Sequence, residues 1–468
     1  MLQAQTREKT VRQRATELTP AETVMTHNER RQRLADSMKD QVGTDVRLGK
    51  TTSNLFRDRN EVSRQKLLDV SDFNHVLQVD PDNNLIEVEG MTTYVELVDA
   101  TLPHGVMPAV VPQLKSITIG GAVSGIGIES SSFRYGLPHQ SIGEMDVLLA
   151  SGDVLTCTPD NEHSDLFYGL ANSYGTLGYI LRLTALAIPV KPFVQLTHIR
   201  FDKSEAFFNA IDQWSAGDID FIDGTVFALD DHVLTLGRFV DQAPYVSDYT
   251  YLDIYYSSIR ARSEDFLTTR DYLWRWDTDW FWCSKNLYLQ YRPLRRLLGR
   301  ERLNSITYQK AKRWNSRWGL TRTLGRLTGH QREWVIQDVD IPIERATEFL
   351  EFFHHEIGIR PVWICPVGHS SDDEVYPLFP MTNRSTYINF GFWDGVATTK
   401  DRPPNHFNRL VENKVNQLGG IKSLYSDAYF GEDEFWSIYD GDSYHQLKQK
   451  YDPGNRLKGL YQKCVLRQ

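Results

Sequence analysis

The segment SITIGGAVSGIGIESSSFRYG, residues 116–136, constrains this chain more than any other stretch. Gly120, Gly121, Gly125 and Gly127 follow a β-branched run, so the backbone can turn sharply and approach a ligand with no Cβ in the way. Exposed N–H groups in such a turn make a concave anion site, and Thr118, Ser124 and Ser130 can add hydroxyl donors. A diphosphate fits that inventory. The spacing is not GxGxxG, and no acidic residue follows a βα unit at the distance a nicotinamide-binding site requires. Taken alone, the glycines fit a purely structural turn equally well.

The rest of the chain bounds the answer. A length of 468 residues implies at least two domains, each able to bury its own core. The formal charge of -9 gives no global basic field, which argues against a nucleic-acid partner. Cys157, Cys283, Cys365 and Cys464 are far apart with no CxxC pair, so they read as reduced thiols rather than disulfides or a zinc site. The first twenty residues lack the apolar core of a secretory signal, and no run of about 18 apolar residues occurs. The expectation is a cytoplasmic protein that at most touches a membrane surface.

Alternation and punctuation predict the elements. Thr19 to Gln41 reads as a charged helix with Leu34, Met38 and Val42 on one face, and Val46 to Phe56 opens with a short strand. HVLQVDPDNNLIEVEG reads as two strands about a turn at Pro81 to Asn84, and YVELVDATLPHG as an amphipathic helix closed by Gly105. EMDVLLASGDVLTCTP repeats the hairpin about Ser151 to Asp153, and a long strand ends before Pro189. After Pro192 the composition turns aromatic and Arg-rich, marking a second domain. There VIQDVDIPI, RPVWICPV and RSTYINFGFWD read as strands and ERATEFLEFFHHEI as a helix, an order suited to an antiparallel sheet covered by helices. The fold class is α+β.

Pro112 to Gly136, Ala150 to Gly169 and Ser173 to Ile180 together resemble the FAD-binding domain of vanillyl-alcohol-oxidase (PCMH-type) flavoproteins. Within that superfamily GIGIESSSFRYGL, CTPDNEHSDLFYGL and GTLGYI resemble the Δ24-sterol reductases, and the likeness runs from about Val76 to Tyr451. The membrane-anchoring N-terminal segment of those enzymes is absent and the loop near KTTSNLF departs from the usual form. The bacterial flavin-dependent reductases of methylene-branched fatty acyl chains are therefore an equal match. The resemblance implies a two-subdomain FAD-binding domain, 1–190 with 431–468, made discontinuous by a substrate (cap) domain, 191–430, built on an antiparallel sheet.

It also implies who holds the cofactor. Ser116, Thr118, Ile119, Gly120, Gly121, Ser124, Gly125, Gly127, Ile128, Glu129 and Ser130 would contact the FAD diphosphate and the nearer flavin, with Gly175 and Ile180 touching it by backbone. Lys50, Thr51, Thr52, Ser53 and Asn54 would form the first phosphate loop. Ile128 and Glu129 stand where some superfamily members place a tethering histidine, so FAD is expected to be non-covalent.

The expected reaction is reduction of a carbon–carbon double bond in a lipid, with NADPH as electron donor. An unactivated alkene needs a proton donor besides the hydride, and aromatic faces for the positive charge. LYSDAYF reads as a strand carrying Tyr425, Asp427 and Tyr429 on one face, which makes them candidates for the acid or its hydrogen-bonding partner; Glu129 is another. The segment has no lysine or histidine, which weighs against the alternative of an alcohol or sugar oxidase; a flavin-retaining lipid carrier without turnover is a third reading. Trp363, Trp393, Phe392 and the cluster from Trp274 to Trp282 serve either as core or as a lipid pocket. His354 and His355 lack a third ligand, so no metal is expected. The run from Arg292 to Arg302 is either a solvated face or a contact with an anionic surface.

Overall fold

In the computed structural model, residues 25–40, 45–50, 56, 66–318, 331–368, 375–381, 386–399 and 402–468 are described. The alternating segments pair as their sequence directs. Val76–Asp80 and Leu85–Glu89 form an antiparallel hairpin, with Asn84 supplying the left-handed turn residue at φ 56°. Ile142–Leu148 and Val154–Cys157 form a second, turned at Gly152 with φ 90°. The long strand Tyr179–Pro189 pairs with Leu85–Glu89, Ile142–Leu148 and Val106–Pro108, which joins both hairpins into one six-stranded sheet.

Helix Tyr94–Thr101 packs Leu97 and Val98 onto this sheet, started by a capping box between Thr93 and Glu96 and stopped at Gly105 with φ 74°. A parallel pair, Val46–Leu48 with Lys66–Leu68, joins helix His27–Lys39 through Leu34, Met38, Val46 and Leu68. Val42 lies outside the described residues. Thr26 and Glu29 form the helix's capping box, and Glu89 inside the sheet accepts from Arg30 Nη2 at 2.5 Å and contacts His27 and His75 Nδ1 at 2.7 Å each.

The second half forms an eight-stranded, fully antiparallel sheet. Edge to edge it runs Glu264–Thr268, Phe193–Phe201, Asp231–Val240, Phe221–Ala228, Val362–Val367, Tyr387–Thr398, Gln331–Pro342 and Ile421–Lys422. Helices Ser204–Ser215, Ala346–Glu356 and His406–Gln417 cover one face with Phe207, Phe349, Phe353 and Val411. Trp363, Cys365 and Trp393 belong instead to a core shared with the six-stranded sheet. The fold is α+β, as its pattern of elements predicts.

The C-terminal segment returns to the first sheet. Lys448 Nζ, on helix Gly441–Tyr451, donates to Thr176 O at 2.8 Å and to Asp452 Oδ2 and Leu457 O at 2.6 Å. Arg456 bonds Met38 O and Ala150 O, and its own carbonyl accepts from Val46 N.

Two expectations are corrected. The glycine segment is no turn: Ile119–Gly125 is a short helix capped by the Thr118 side chain, with Gly120 in its first turn because a Cβ there would lie 2.7 Å from Gly90 O. LYSDAYF is no strand. Pairing ends at Lys422, the chain turns at Leu424 to Ser426, and the remainder runs without a partner strand. Its alternation reflects burial of Leu424, Ser426, Ala428 and Phe430 against an irregular wall.

Candidate functional site

A cavity of about 280 Å³ lies where the glycine helix and the inner face of the eight-stranded sheet meet. One part of its wall is suited to an anion. The first backbone N–H groups of the helix are already engaged: Ile119 with Thr92 O, Gly120 with Gly90 O, and Gly121 with Thr118 Oγ1. Ser124 Oγ donates to Gly120 O at 2.8 Å. The available donors come just after the helix, where the lining residues Ile126, Gly127 and Ile128 have N–H groups with no protein acceptor among the described residues.

Ile126 adopts φ 61° and ψ 131°, a conformation that costs a β-branched residue on the order of 1–3 kcal/mol and persists only when its surroundings impose it. They do so on both sides. Tyr174 donates its hydroxyl to Gly125 O at 2.7 Å and its N–H to Ser124 O at 2.8 Å. Gly127 fits between Pro112 and Pro138, where a Cβ would come within 2.8 and 3.2 Å of ring carbons.

Lys50 reaches the same wall, its Nζ 3.5 Å from Thr118 Oγ1 with no carboxylate in ion-pair range among the described residues. The side chain is open to the cavity, yet the surrounding protein mass pushes its pKa down to about 8. Gly121 leaves it room: a Cβ would come 2.7 Å from Thr118 Oγ1 and 3.5 Å from Lys50 Nζ. Gln113 lines the cavity with both amide atoms buried and, among the described residues, unpartnered; Arg47 lines it with an Nε that likewise has no partner there. An unpaired cation, free N–H groups and an orphaned amide form a donor set that fits a dinucleotide's phosphates and a polar ring edge.

The opposite wall is an aromatic chamber. Phe281 packs against Trp393 and Trp363 with ring centroids 4.7 and 5.4 Å apart, and Phe56 stacks on Trp280 at 5.6 Å. Trp280, Phe281 and Trp282 are consecutive left-handed residues, with φ of 49°, 49° and 55°. Among them stands Asp338, from the strand Gln331–Pro342. Tyr425 lies against it and accepts from Trp393 Nε1 at 2.8 Å. Ser423 and Cys283 complete this wall.

The structure brings together much of the expected set. Lys50, Ser116, Thr118, Gly120, Gly121, Ser124, Gly125, Gly127, Ile128, Gly175 and Ile180 line the cavity, as does Tyr425. Ile119 and Ser130 point elsewhere, and Thr51, Thr52, Ser53 and Asn54 lie outside the described residues. Asp427 and Tyr429 are turned away from Tyr425: Asp427 Oδ1 is 3.3 Å from Arg467 Nε, and the Tyr429 ring sits under the Arg467 guanidinium. Loss of the expected strand separates the three.

Glu129 is buried beneath the cavity rather than in its wall. Arg275 Nη2 spans Glu129 Oε1 at 3.1 Å and Asp223 Oδ2 at 2.7 Å, and Ser130 donates twice to Glu129, from N at 2.8 Å and from Oγ at 2.6 Å. Burial pushes the Glu129 carboxyl up while Arg275 opposes the shift. This side chain positions the loop against the second sheet. Arg47, Gln113, Asp338 and Ser423 are lining residues that the sequence patterns do not single out. Among the described residues no group of three or more His, Cys, Asp or Glu side chains could hold a metal ion, and no helix is long and apolar enough to cross a membrane.

A family model described as an FAD binding domain matches residues 40–158. With the cavity beside it, this marks an FAD-binding domain in the chain and, at the level of class, an FAD-dependent oxidoreductase. The chain is 27% identical over 402 residues to the Delta(24)-sterol reductase of Homo sapiens, covering 83% of this chain and 75% of the relative. The Delta(24)-sterol reductase of Arabidopsis thaliana is 25% identical over 436 residues, 85% and 76% of the two chains. Cytokinin dehydrogenase 10 of Oryza sativa subsp. japonica matches over 169 residues at 28%, 35% of this chain and 30% of the relative.

Proposed function

We propose that this chain reduces a carbon–carbon double bond in a lipid, either a sterol side chain or a methylene-branched fatty acyl chain. FAD is held without a covalent tether and NADPH is the electron source. One observation carries the choice of reduction over alcohol oxidation. The described lining of the aromatic chamber contains Asp338, Tyr425 and Ser423 but no histidine, and Lys463 is occupied by Tyr174 O at 2.6 Å. Oxidation of a carbinol calls for a base at that place, whereas burial holds the carboxyl that stands there, Asp338, toward its neutral, proton-donating form. The similarity to sterol reductases over most of the chain supports the same choice.

In this reading, Lys50, Thr118 and the N–H groups of residues 126–128 hold the diphosphate, and Gln113 and Ile180 meet the flavin. When bound, reduced FAD supplies a hydride. Trp363, Trp393 and Phe281 exclude water from the chamber and offer their faces to developing positive charge. The cap is residues 191–430, inserted between 1–190 and 431–468 of the FAD domain.

The protein works in the cytoplasm at a membrane surface. Tyr288, Tyr291 and Leu297 are exposed by 70%, 63% and 80% beside Arg292 and Arg296, a mixture suited to an anionic bilayer. Leu289, Leu298 and Leu303 of the same segment pack against the cavity-lining Phe56, Leu114 and Trp280, so this face backs onto the lipid chamber. Co-sedimentation with phosphatidylserine vesicles that is lost in L297D/R296E supports this contact; equal pelleting of the variant refutes it.

Anaerobic stopped-flow mixing with NADPH tests the reaction. The oxidised flavin should bleach, and should recover its colour when a Δ24-sterol or a methylene-branched acyl lipid is added. An unbleached flavin overturns the nicotinamide assignment. Bleaching by an alcohol or sugar instead favours an oxidase or dehydrogenase; the match to a cytokinin dehydrogenase represents the latter class.

A further inference from the structure

We propose that Asp338 is the acid that delivers the proton to the alkene, with Tyr425 and Trp393 holding its carboxyl in position; this rests on the reductase reading above. Asp338 is the one carboxylic side chain among the described residues of the cavity wall. Among the described residues its Oδ1 is buried without a hydrogen-bond partner, and no lysine, arginine or histidine comes within ion-pair range of it.

The local structure makes room for this group. Asp338 pairs with Gly391 on the neighbouring strand, where a Cβ would come 2.7 Å from Asp338 Oδ1 and closer still to the Trp393 ring. A glycine there lets the carboxyl and the indole share one niche. Ser423 N donates to Asp338 O at 3.1 Å, fixing the strand edge against the turn that carries Tyr425. Trp393 Nε1 in turn holds the Tyr425 hydroxyl beside the carboxyl.

A carboxyl without a cation in such a place favours its neutral form, because burying the charge is unfavourable. Burial pushes Asp338 up to about 8, Tyr425 opposes the shift and Asp340 on the same strand reinforces it. At neutral pH the group therefore carries the proton it is to give. The other acidic candidates are committed elsewhere: Glu129 to Arg275 and Asp427 to Arg467.

In the step, the π bond opens and two C–H bonds form. One carbon takes the carboxyl proton of Asp338, and the other takes the hydride that reduced flavin supplies with both electrons. Asp338 is left as a carboxylate and recovers its proton from solvent. The order, proton first, places positive charge before the faces of Trp363, Trp393 and Phe281.

The test uses wild type, D338N and D338E as full-length holoenzyme, with flavin reduced by dithionite so that the nicotinamide plays no part. Reoxidation of D338N by a Δ24-sterol or a methylene-branched acyl lipid should slow at least about 100-fold, with partial rescue in D338E. Flavin reduction by NADPH should be unchanged. The flavin-free proteins give a second readout: a carboxylic-acid stretch in the wild-type minus D338N infrared difference at pH 7, in which the bands of the other buried carboxyls, such as Asp340, itself raised to about 7, cancel. Wild-type reoxidation rates in D338N, or a difference spectrum with no carboxylic-acid band, overturn the assignment. Failure of wild type to be reoxidised by either lipid overturns the reductase reading beneath it, while the infrared band then reports only on Asp338.

Discussion

Arg275→Met offers the sharpest quantitative test of how the two sheets are joined. Wild type buries two carboxylates, Glu129 and Asp223, around a single guanidinium, all with side-chain exposure of 2% or less. Methionine fills similar space but leaves two negative charges with no cation, so at least one carboxyl must be protonated for the fold to persist. The ordinary value for Glu129 is 4.5. Holding such a group neutral at pH 7, at 1.36 kcal/mol for each pH unit, costs about 3.4 kcal/mol.

The sign follows from the direction of the shift. A carboxyl whose folded pKa is raised is at its most favourable below its unfolded value, and stability is lost as pH rises toward the folded value. The deficit of the variant should therefore be about 3 kcal/mol at pH 7 and shrink below about 1 kcal/mol at pH 5. Urea unfolding of the flavin-free protein, followed by tryptophan fluorescence at pH 5, 6, 7 and 8, measures it. A deficit independent of pH would mean that lost packing, not uncompensated charge, explains the effect, and a deficit under about 1 kcal/mol at pH 7 would refute the argument altogether.

Lys50→Met should raise the dissociation constant for FAD about 10-fold or more, since a charge-assisted bond to phosphate is lost, without lowering the melting temperature of the flavin-free protein. Calorimetric titration with FAD and a thermal melt read the two effects, and unchanged affinity would remove Lys50 from the phosphate site. Glu89→Gln removes a buried acceptor: burial pushes its carboxyl up, but bonds from His27, Arg30 and His75 outweigh this and hold it near 2. A depressed carboxyl stabilises above its unfolded value and loses that contribution as pH falls. The variant should lose on the order of 2 kcal/mol at pH 7, allowing for the half-exposed His75, and far less near pH 2.5. Equal losses at both pH values would contradict the assignment.

Much of this organisation was legible in the sequence. The period-two segments around Pro81–Asn84 and Ser151–Asp153 became hairpins because the pleat puts alternate residues on one buried face. Helix Ile119–Gly125 was hidden because glycine is a poor helix former; its reasons are tertiary, the close approach of Gly120 to Gly90 and the space Gly121 leaves at Lys50. LYSDAYF misled because alternating burial was real while the partner strand was not. Asp338 is one polar position in a segment that reads simply as a strand. Only the other half of the molecule, lying over that strand, makes it a cavity group, and nothing within VIQDVDIPI says so except Gln337 and two acids in an otherwise apolar run.

The return of the C-terminus to the first sheet has a consequence for how the molecule is assembled. The chain leaves that sheet at Pro189 and enters the eight-stranded sheet at Phe193–Phe201, one strand from one edge, then leaves from Ile421–Lys422 at the opposite edge. Six inter-strand steps of about 4.8 Å place entry and exit roughly 29 Å apart. The eight-stranded sheet is thus a bridge of fixed span between the segment that precedes it and the C-terminal segment that returns to the first sheet. While it is unfolded, bringing Lys448 to Thr176 means closing a very long flexible loop. Once it is folded, that loop is replaced by a rigid strut, and the two pieces are presented to each other at a set separation. Stability far from the flavin, in the helices behind that sheet, is in this way coupled to closure of the cavity around it.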